Sequence, residues 1–499
     1  MVIFYFFIFA ICYSSELFEE FYPKAEEYLN NMTLEEKVGQ MFFPRYYPEY
    51  SPEDIKNLKI GGLVLYGKDF NFTKKYIQTY IRDLQELALN YTKLPLGLAV
   101  DEEGGIVFRV SQYHRKEGIF PSPQNIYRES GIEGILKIDQ EKRDLLREFF
   151  LNINFAPVAD ISYNPSDYIY SRTLGEPANI TADYIAKDVE GYVKDRFTCC
   201  AKHFPGYGNN VNTHDGRAYD NRSYDIFLNE DFLPFEAAIA NKIPMILVSH
   251  NIIFCKDEYY PASISKVWHD ILRDDLNYSG LIVTDDLYMD AIKNFSYGDS
   301  AAVLAVQAGN DVILSTDYHK HIEDVINAVK VGNITEDIID KACRRIIAWK
   351  LKYLDFSIPE IDEGDDTSDQ TYDNSTDDTS DQTYENSTDD TSDQTHDNTT
   401  DDTSDQIHDN STDSTTDSQN TDDKSDTSSD IATDSSNTTD TSDTEDKGNS
   451  DDNTTLIVSL SVVGGILIIS LIVFFFVHSK KKANSSDIEE TSGLLKEIE

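Results

Sequence analysis

The sequence predicts an α/β fold, a (β/α)8 TIM-type barrel followed by a disordered acidic stalk and one transmembrane helix. Three observations lead there. Eight short β-rich apolar runs alternate with helical stretches over the body of the chain, polar residues close those runs in a recurring way, and an acidic repeat followed by an apolar segment occupies the remainder.

The eight runs are VGQMFF from Val38, GGLVLYG from Gly61, LGLAVDEE from Leu96, INFAPVAD from Ile153, CCAKHF from Cys199, PMILVSHN from Pro244, GLIVTDD from Gly280 and NDVILST from Asn310. Strands separated by helices pair in parallel, because each crossover returns the chain to the same end of the sheet. Eight such units in about 330 residues match a barrel. A doubly wound sheet is the alternative. The barrel is favoured by Asp101, Asp160, His203, His250 and Asp285, each of which closes an apolar run. The carboxyl ends of barrel strands converge on one mouth, where such folds do chemistry.

Charge separates the rest of the chain from this body. The 499 residues carry a formal net charge of -47, and the segment from Glu360 to Asp452 holds 32 acidic side chains against Lys424 and Lys447. The globular part is therefore only moderately acidic, and it lacks the clustered Lys and Arg that phosphate backbones require, which argues against nucleic acid as a partner. DDTSDQTYDNST at Asp365 recurs at Asp377, Asp389 and Asp401 with small changes, each copy bearing an N-x-[ST] sequon. With few apolar side chains to bury, residues 358–454 are expected to be an extended, solvated stalk. Weak calcium binding by the Asp clusters is the other reading, without an EF-hand glycine turn to support it.

Both ends carry membrane-system signals. Residues 1–15, MVIFYFFIFAICYSS, have the apolar run of a signal peptide followed by Ser14 and Ser15, though without an early Lys or Arg. An uncleaved anchor or a buried strand are the alternatives. Leu456 to Val477 is an uncharged stretch of 22 residues, long enough to span a bilayer as a helix, and Lys480, Lys481 and Lys482 follow it. The positive-inside bias makes residues 478–499 a cytosolic tail and everything upstream lumenal or extracellular. Sequons at Asn31, Asn71, Asn90, Asn179, Asn221, Asn277, Asn294 and Asn333 agree with that topology. In the tail, Glu490 stands four residues before Leu494 and Leu495, the form of an acidic dileucine signal read by endocytic adaptors. Residence at the cell surface, in endosome or lysosome-like vesicles, or both, is the expectation. Cys12 leaves with the signal, and Cys199, Cys200, Cys255 and Cys343 have neither disulfide-framework nor zinc spacing, so buried free thiols are expected.

Chemistry is carried by four motifs. DEEGGIVFR, from Asp101 to Arg109, sets an acid at a strand end, a glycine pair that turns the chain, and an arginine. A carboxylate accepts from two vicinal hydroxyls and a guanidinium donates in a planar fork, the complement of a sugar ring. An ordinary loop ion pair is the bland alternative. Asp285 in GLIVTDDLYM either makes a local salt bridge or faces the mouth as a nucleophile. KHFPGYGNNVNTH runs from Lys202 through a glycine- and asparagine-rich loop to His214, and SRTLGEP carries Arg172. His250 in LVSHN reads equally as a mouth residue or a satisfied buried histidine, and Asp160 as a support for the site.

Together these motifs, in this order and rough spacing, resemble glycoside hydrolase family 3, and most of all its bacterial single-domain β-N-acetylglucosaminidases. The resemblance covers Met32 to about Leu354, within a catalytic domain bounded at residues 24–355. It implies that Asp285 is the nucleophile of a retaining mechanism and His214 the acid/base. It also implies that Asp101, Arg109, Arg172, Lys202 and His203 hold the sugar. No cofactor and no metal enter such a reaction. The implied activity is release of non-reducing terminal N-acetylglucosamine from glycans such as peptidoglycan fragments, chitin oligomers or glycoprotein glycans. One departure stands out: the family pattern has Asp two residues before the acid/base His, where this chain has Asn212. Asn212 can orient His214 but adds no charge, and Asp215 follows His214 directly, where adjacent side chains rarely face each other. A β-glucosidase or β-xylosidase of the same family, and a sugar-binding surface protein of weak activity, remain the alternatives.

Overall fold

In the computed structural model, residues 16–293 and 300–361 are described. They form an α/β domain with a curled parallel sheet. Ten strands occur in it: β1 Phe42–Phe43, β2 Gly62–Val64, β3 Gly97–Val100, β4 Ile153–Asn154, β5 Thr198–Phe204, β6 Tyr219–Asp220, β7 Met245–Val248, β8 Ile252–Ile253, β9 Leu281–Thr284 and β10 Ile313–Leu314. Six pair in the order β2-β3-β4-β5-β7-β9, all parallel, and β1 pairs with β10. Single parallel bridges, Arg45 to Val64 and Val283 to Val312, join that pair to the two edges of the six-stranded sheet.

Each of the eight expected runs contains a strand, and the first is shorter than expected. Val38 to Met41 belong to the helix Leu34–Met41, leaving only Phe42 and Phe43 extended. The reason is local: Thr33 accepts from the Glu36 amide while Glu36 caps the Thr33 amide, a capping box that commits the next residues to helix. The β6–β8 pair, formed inside the loops after β5 and β7, has too short a pattern to be read from sequence.

Helices cover the sheet through faces that the sequence spaces correctly. In Lys74–Tyr91 the buried residues Ile77, Ile81, Leu84, Gln85 and Ala88 recur at helical intervals. Gln85 is polar on that face because it exchanges two hydrogen bonds with the Leu96 backbone, 2.9 and 3.1 Å, tying the helix to the start of β3. The helix Glu336–Tyr353 buries Trp349, whose indole N–H donates to Thr198 Oγ1 at 3.1 Å. Phe43 lies across the starts of β2 and β3, and a Cβ on Gly62 or Gly97 would come within 2.6 Å of its ring, so these positions must lack one. Phe18 is fully buried against Tyr353, so the folded body starts upstream of Lys24.

Among the described residues no helix is long and apolar enough to cross a membrane. The signal peptide, the stalk beyond residue 361, the segment 456–477, the tail with Glu490, Leu494 and Leu495, and Asn294 lie outside the described residues. The four described cysteines are free; Cys199, Cys200 and Cys343 are buried and Cys255 is half-buried.

Candidate active site

Parallel pairing sends every carboxyl end of the sheet the same way, so the residues that close the strands gather at one mouth. Asp101 follows β3, Asp160 follows β4, Lys202 and His203 lie near the carboxyl end of β5, His250 follows β7 and Asp285 follows β9. Five of the expected residues form one connected polar cluster. Lys202 Nζ lies 2.6 Å from Asp101 Oδ1 and 2.6 Å from Glu103 Oε1. Arg172 grips Glu103 with Nε to Oε2 at 3.0 Å and Nη2 to Oε1 at 2.7 Å. Arg172 Nη2 is also 3.4 Å from His203 Nε2, and Arg109 Nη2 is 3.9 Å from Asp101 Oδ2.

Glu103 is the residue that sequence reasoning passed over, although DEEGG displays three acids in a row. Burial opposes its ionisation, but Arg172 and Lys202 outweigh that and hold the carboxyl well below the usual range. It is the counter-ion that lets two cations sit in the cluster. Asp101, by contrast, keeps part of its carboxylate open to solvent.

The neighbouring Glu102 shapes the loop. Fully buried, it accepts from the amides of Arg109, Val110 and Ser111 at 2.8, 2.7 and 3.4 Å, and from the Ser111 hydroxyl at 2.5 Å. This turns the chain after β3 back on itself and brings Arg109 over the Tyr66 ring, 5.5 Å from its centroid. Asn154 at the end of β4 fixes Glu102 in turn, with its carbonyl 3.0 Å from the Glu102 amide and its NH2 3.1 Å from the Glu102 carbonyl.

Asp160 supports the site as expected. It is buried and accepts from His203 Nδ1 at 2.7 Å, the His203 amide at 3.1 Å and the Tyr207 amide at 2.8 Å. Nδ1 of His203 therefore donates to Asp160, and Nε2 faces Arg172. His250 proves to be a satisfied buried histidine that also borders the mouth: Nε2 donates to the Asp286 carbonyl at 2.9 Å and Nδ1 meets Ser263 Oγ at 2.7 Å.

Asp285 accepts from the Asp286 amide at 2.9 Å. Burial would raise its pKa, yet His250, His203 and His214 and that amide together bring it below the ordinary value, so the carboxylate stays ionised. Asp286 turns away, accepting from the Tyr288 and Thr316 amides at 2.9 and 3.1 Å and from the Thr316 hydroxyl at 2.7 Å. The two acids of TDD thus have different jobs, one left to the mouth and one pinning the β9 and β10 loops.

The loop from Lys202 to His214 is anchored along its length. Tyr207 OH receives the Thr213 amide at 3.0 Å and lies 3.2 Å from Thr213 Oγ1, while the Ala291 amide donates to the Thr213 carbonyl at 3.3 Å. Arg222 ties the far side, bonding Asp220, Asp231 and the Gly206 carbonyl. Gly206 and Gly208 have φ of +132° and +57°, and a Cβ on either would strike Asp231 or Arg222, so glycine is required at both turns. His214 keeps a solvent-exposed side, while desolvation by the protein around it pushes its pKa below the ordinary value; Asp285 and Asp215 oppose that, and Arg172 and His203 add to it. Its Nδ1 is 2.8 Å from Asn212 Oδ1. The structure thus links Asp285 and His214 electrostatically, with the Asp101–Lys202–Glu103–Arg172–His203 chain alongside. Among the described residues no cluster of three or more His, Cys, Asp or Glu is arranged to hold a metal ion.

Residues 33–349 match the Glycosyl hydrolase family 3 N terminal domain. A beta-hexosaminidase of Actinobacillus pleuropneumoniae serotype 5b is 26% identical over 321 residues, covering 60% of this chain and 88% of the relative. An uncharacterized secreted glycosyl hydrolase of Arthroderma benhamiae is 27% identical over 331 residues, covering 62% of this chain and 92% of that protein. Among solved structures, a family 3 β-N-acetylglucosaminidase from Paenibacillus sp. aligns with a TM-score of 0.62 at 26% identity, covering 68% of this chain and 66% of that one. With its strand-end acids and histidines set at one mouth, the chain belongs to glycosyl hydrolase family 3 and is a glycosidase related to the β-hexosaminidases.

Proposed function

We propose that this protein is a retaining β-N-acetylglucosaminidase, anchored in a membrane by its 456–477 segment. The observation that carries the activity is the pairing of an ionised Asp285 with a tautomer-fixed His214. Asp285 attacks the anomeric carbon while His214 Nε2 gives its proton to the departing oxygen, so a glycosyl ester forms as the glycosidic bond breaks. His214, now neutral, takes a proton from water, and the resulting attack on the anomeric carbon releases the sugar and frees the Asp285 carboxylate. Asp101 accepts sugar hydroxyls, and Lys202, Arg172, His203 and Arg109 donate to or flank them. The two strand bridges support reading the curled sheet as a closed (β/α)8 barrel.

For location, the reading is that the domain faces the lumen or exterior, at the surface or in endosomal vesicles. All seven sequon asparagines among the described residues are solvent-exposed, which supports it. The test of function is a screen of the full-length protein against 4-nitrophenyl β-glycosides. Hydrolysis of the N-acetylglucosaminide well above the glucoside and xyloside is the expected result. Preference for either of those sugars would overturn the substrate, and sugar binding without any turnover would favour the binding-protein reading that Asn212 suggests.

A further inference from the structure

We infer that Asp215 is a positioning residue for the proton transfer, acting on His214 through the side-chain amide of Asn212. This rests on the reading of His214 as the acid/base.

The geometry is a chain of three side chains. Asn212 Nδ2 donates to Asp215 Oδ2 at 2.8 Å, and Asn212 Oδ1 is 2.8 Å from His214 Nδ1 and 3.1 Å from the His214 backbone amide. The orientation of the Asn212 amide follows from its neighbours. A backbone N–H can only donate, so the atom facing it is oxygen; an ionised carboxylate can only accept, so the atom facing it is the NH2. With Oδ1 facing it, Nδ1 of His214 must carry a proton, and Nε2 is the nitrogen left for the reaction. Among the described residues Asp215 makes no hydrogen bond to the His214 ring. Its backbone amide instead donates to the Asn212 carbonyl at 3.3 Å, folding the turn so that its carboxylate meets the amide two bonds beyond the ring.

The chemical consequence is that a charge absent at position 212 is supplied from position 215. A hydrogen bond to a carboxylate is roughly twice as strong as a neutral one, and it polarises the amide so that Oδ1 becomes a better acceptor. The imidazolium is thereby favoured over the neutral ring. The charged and titratable groups that act on His214 come from four elements: Asp285 after β9, Arg172 from the loop after β4, His203 in β5 and Asp215 on its own loop. Arg172 and His203 disfavour the cation, while Asp285 and Asp215 favour it. When Asp285 is esterified it loses its charge, and Asp215 is then the one anion of this set still favouring the imidazolium that forms as water is deprotonated.

The test compares pH profiles of kcat/KM for the full-length protein and its D215N, D215A and H214A variants. Two N-acetyl-β-glucosaminides serve as substrates, one with a 4-nitrophenyl and one with a sugar leaving group. Asp215→Asn preserves an acceptor for Asn212 but no charge, and Asp215→Ala removes both. Both should move the basic limb to lower pH by about half a unit or more, and lower kcat for the sugar leaving group about fivefold. The loss should be smaller for nitrophenolate, which needs little protonation, and KM should stay near the parent value. If both limbs overlay the parent while His214→Ala is inactive toward the sugar leaving group, Asp215 is an ordinary surface residue and the inference fails. If His214→Ala retains parental activity on that substrate, the acid/base assignment fails first and the role of Asp215 with it.

Discussion

Arg172 holds Glu103 by both carboxylate oxygens, at 3.0 and 2.7 Å, within a cluster where Glu103 also meets Lys202 at 2.6 Å. The two cations thereby stay charged in a nearly dry environment. Desolvating three charges is costly, and this mutual pairing, with Asp101 on Lys202, offsets it. The cluster is therefore a single unit, and removing the one anion that bridges both cations should disturb binding and stability together.

Glu103→Ala is expected to destabilise the fold by about 3–5 kcal/mol, because it leaves Arg172 with an unpaired buried charge and Lys202 with Asp101 alone. Urea denaturation measures the loss, and KM for an aryl N-acetylglucosaminide should rise as well. A loss under about 1 kcal/mol would mean that solvent already reaches the cluster.

Asp285→Ala should lower turnover by at least about a thousandfold, since a covalent mechanism loses its first step. The melting curve should change little, because among the described residues Asp285 makes no ion pair that holds elements together. A 2-fluoro glycosyl donor should label Asp285 in the parent, read by peptide mass. Activity within tenfold of the parent would refute the nucleophile.

Asn212→Asp combined with Asp215→Asn moves one negative charge from the far side of the amide to direct contact with His214. A carboxylate at that position raises the histidine pKa, which desolvation otherwise lowers. The first step needs the protonated ring, so the basic limb of kcat/KM should move up by about one unit, with a rate gain of about tenfold above neutrality. An unmoved limb would show that position 212 does not act on the ring.

Lys350 gives a stability prediction remote from the mouth. Its amine is fully buried, donating to Gln40 Oε1 and the Gly61 carbonyl at 2.8 Å each, and burial lowers its pKa to about 7. Between that value and the unfolded value near 10.4 the unfolded chain binds the extra proton, so this residue's contribution to stability rises with pH and is flat below about 7. The difference in unfolding free energy between the parent and Lys350→Met should thus shift toward the parent by about 1 kcal/mol per unit from pH 7.5 to 9. A difference independent of pH would mean that Lys350 is charged in the folded protein.

Much of the fold was legible because buried parallel strands are short, apolar and closed by polar residues. All eight runs contain strands, and the run at Val38 lost its first four residues to a helix whose capping box the strand pattern concealed. Asp101, Lys202, His203 and Asp285 were legible for the same reason: each closes or ends a strand. Glu103 was not, since neighbouring acids on an irregular turn follow no periodicity, and which of Asp101, Glu102 and Glu103 faces cations, amides or solvent depends on partners that run from Arg109 in the same loop to Arg172 and Lys202 far along the chain. His250 was undecided in the sequence and became a bonded buried histidine only once Ser263 and the Asp286 carbonyl were brought to it.

The sequence by itself determined the alternating strands and helices, the family, and the residue types at the mouth, because periodicity and motif spacing are properties of the local chain. Tertiary structure alone decided which carboxylates are paired and which stay unpaired at the mouth. It decided that Asp286 is consumed by Thr316 while Asp285 remains among three histidines. It also decided that Asp215 meets Asn212 rather than His214. These outcomes turn on distances of about 3 Å between segments far apart in the chain or folded back in a loop, and electrostatic energies at that range depend on position and desolvation, which residue order does not encode locally.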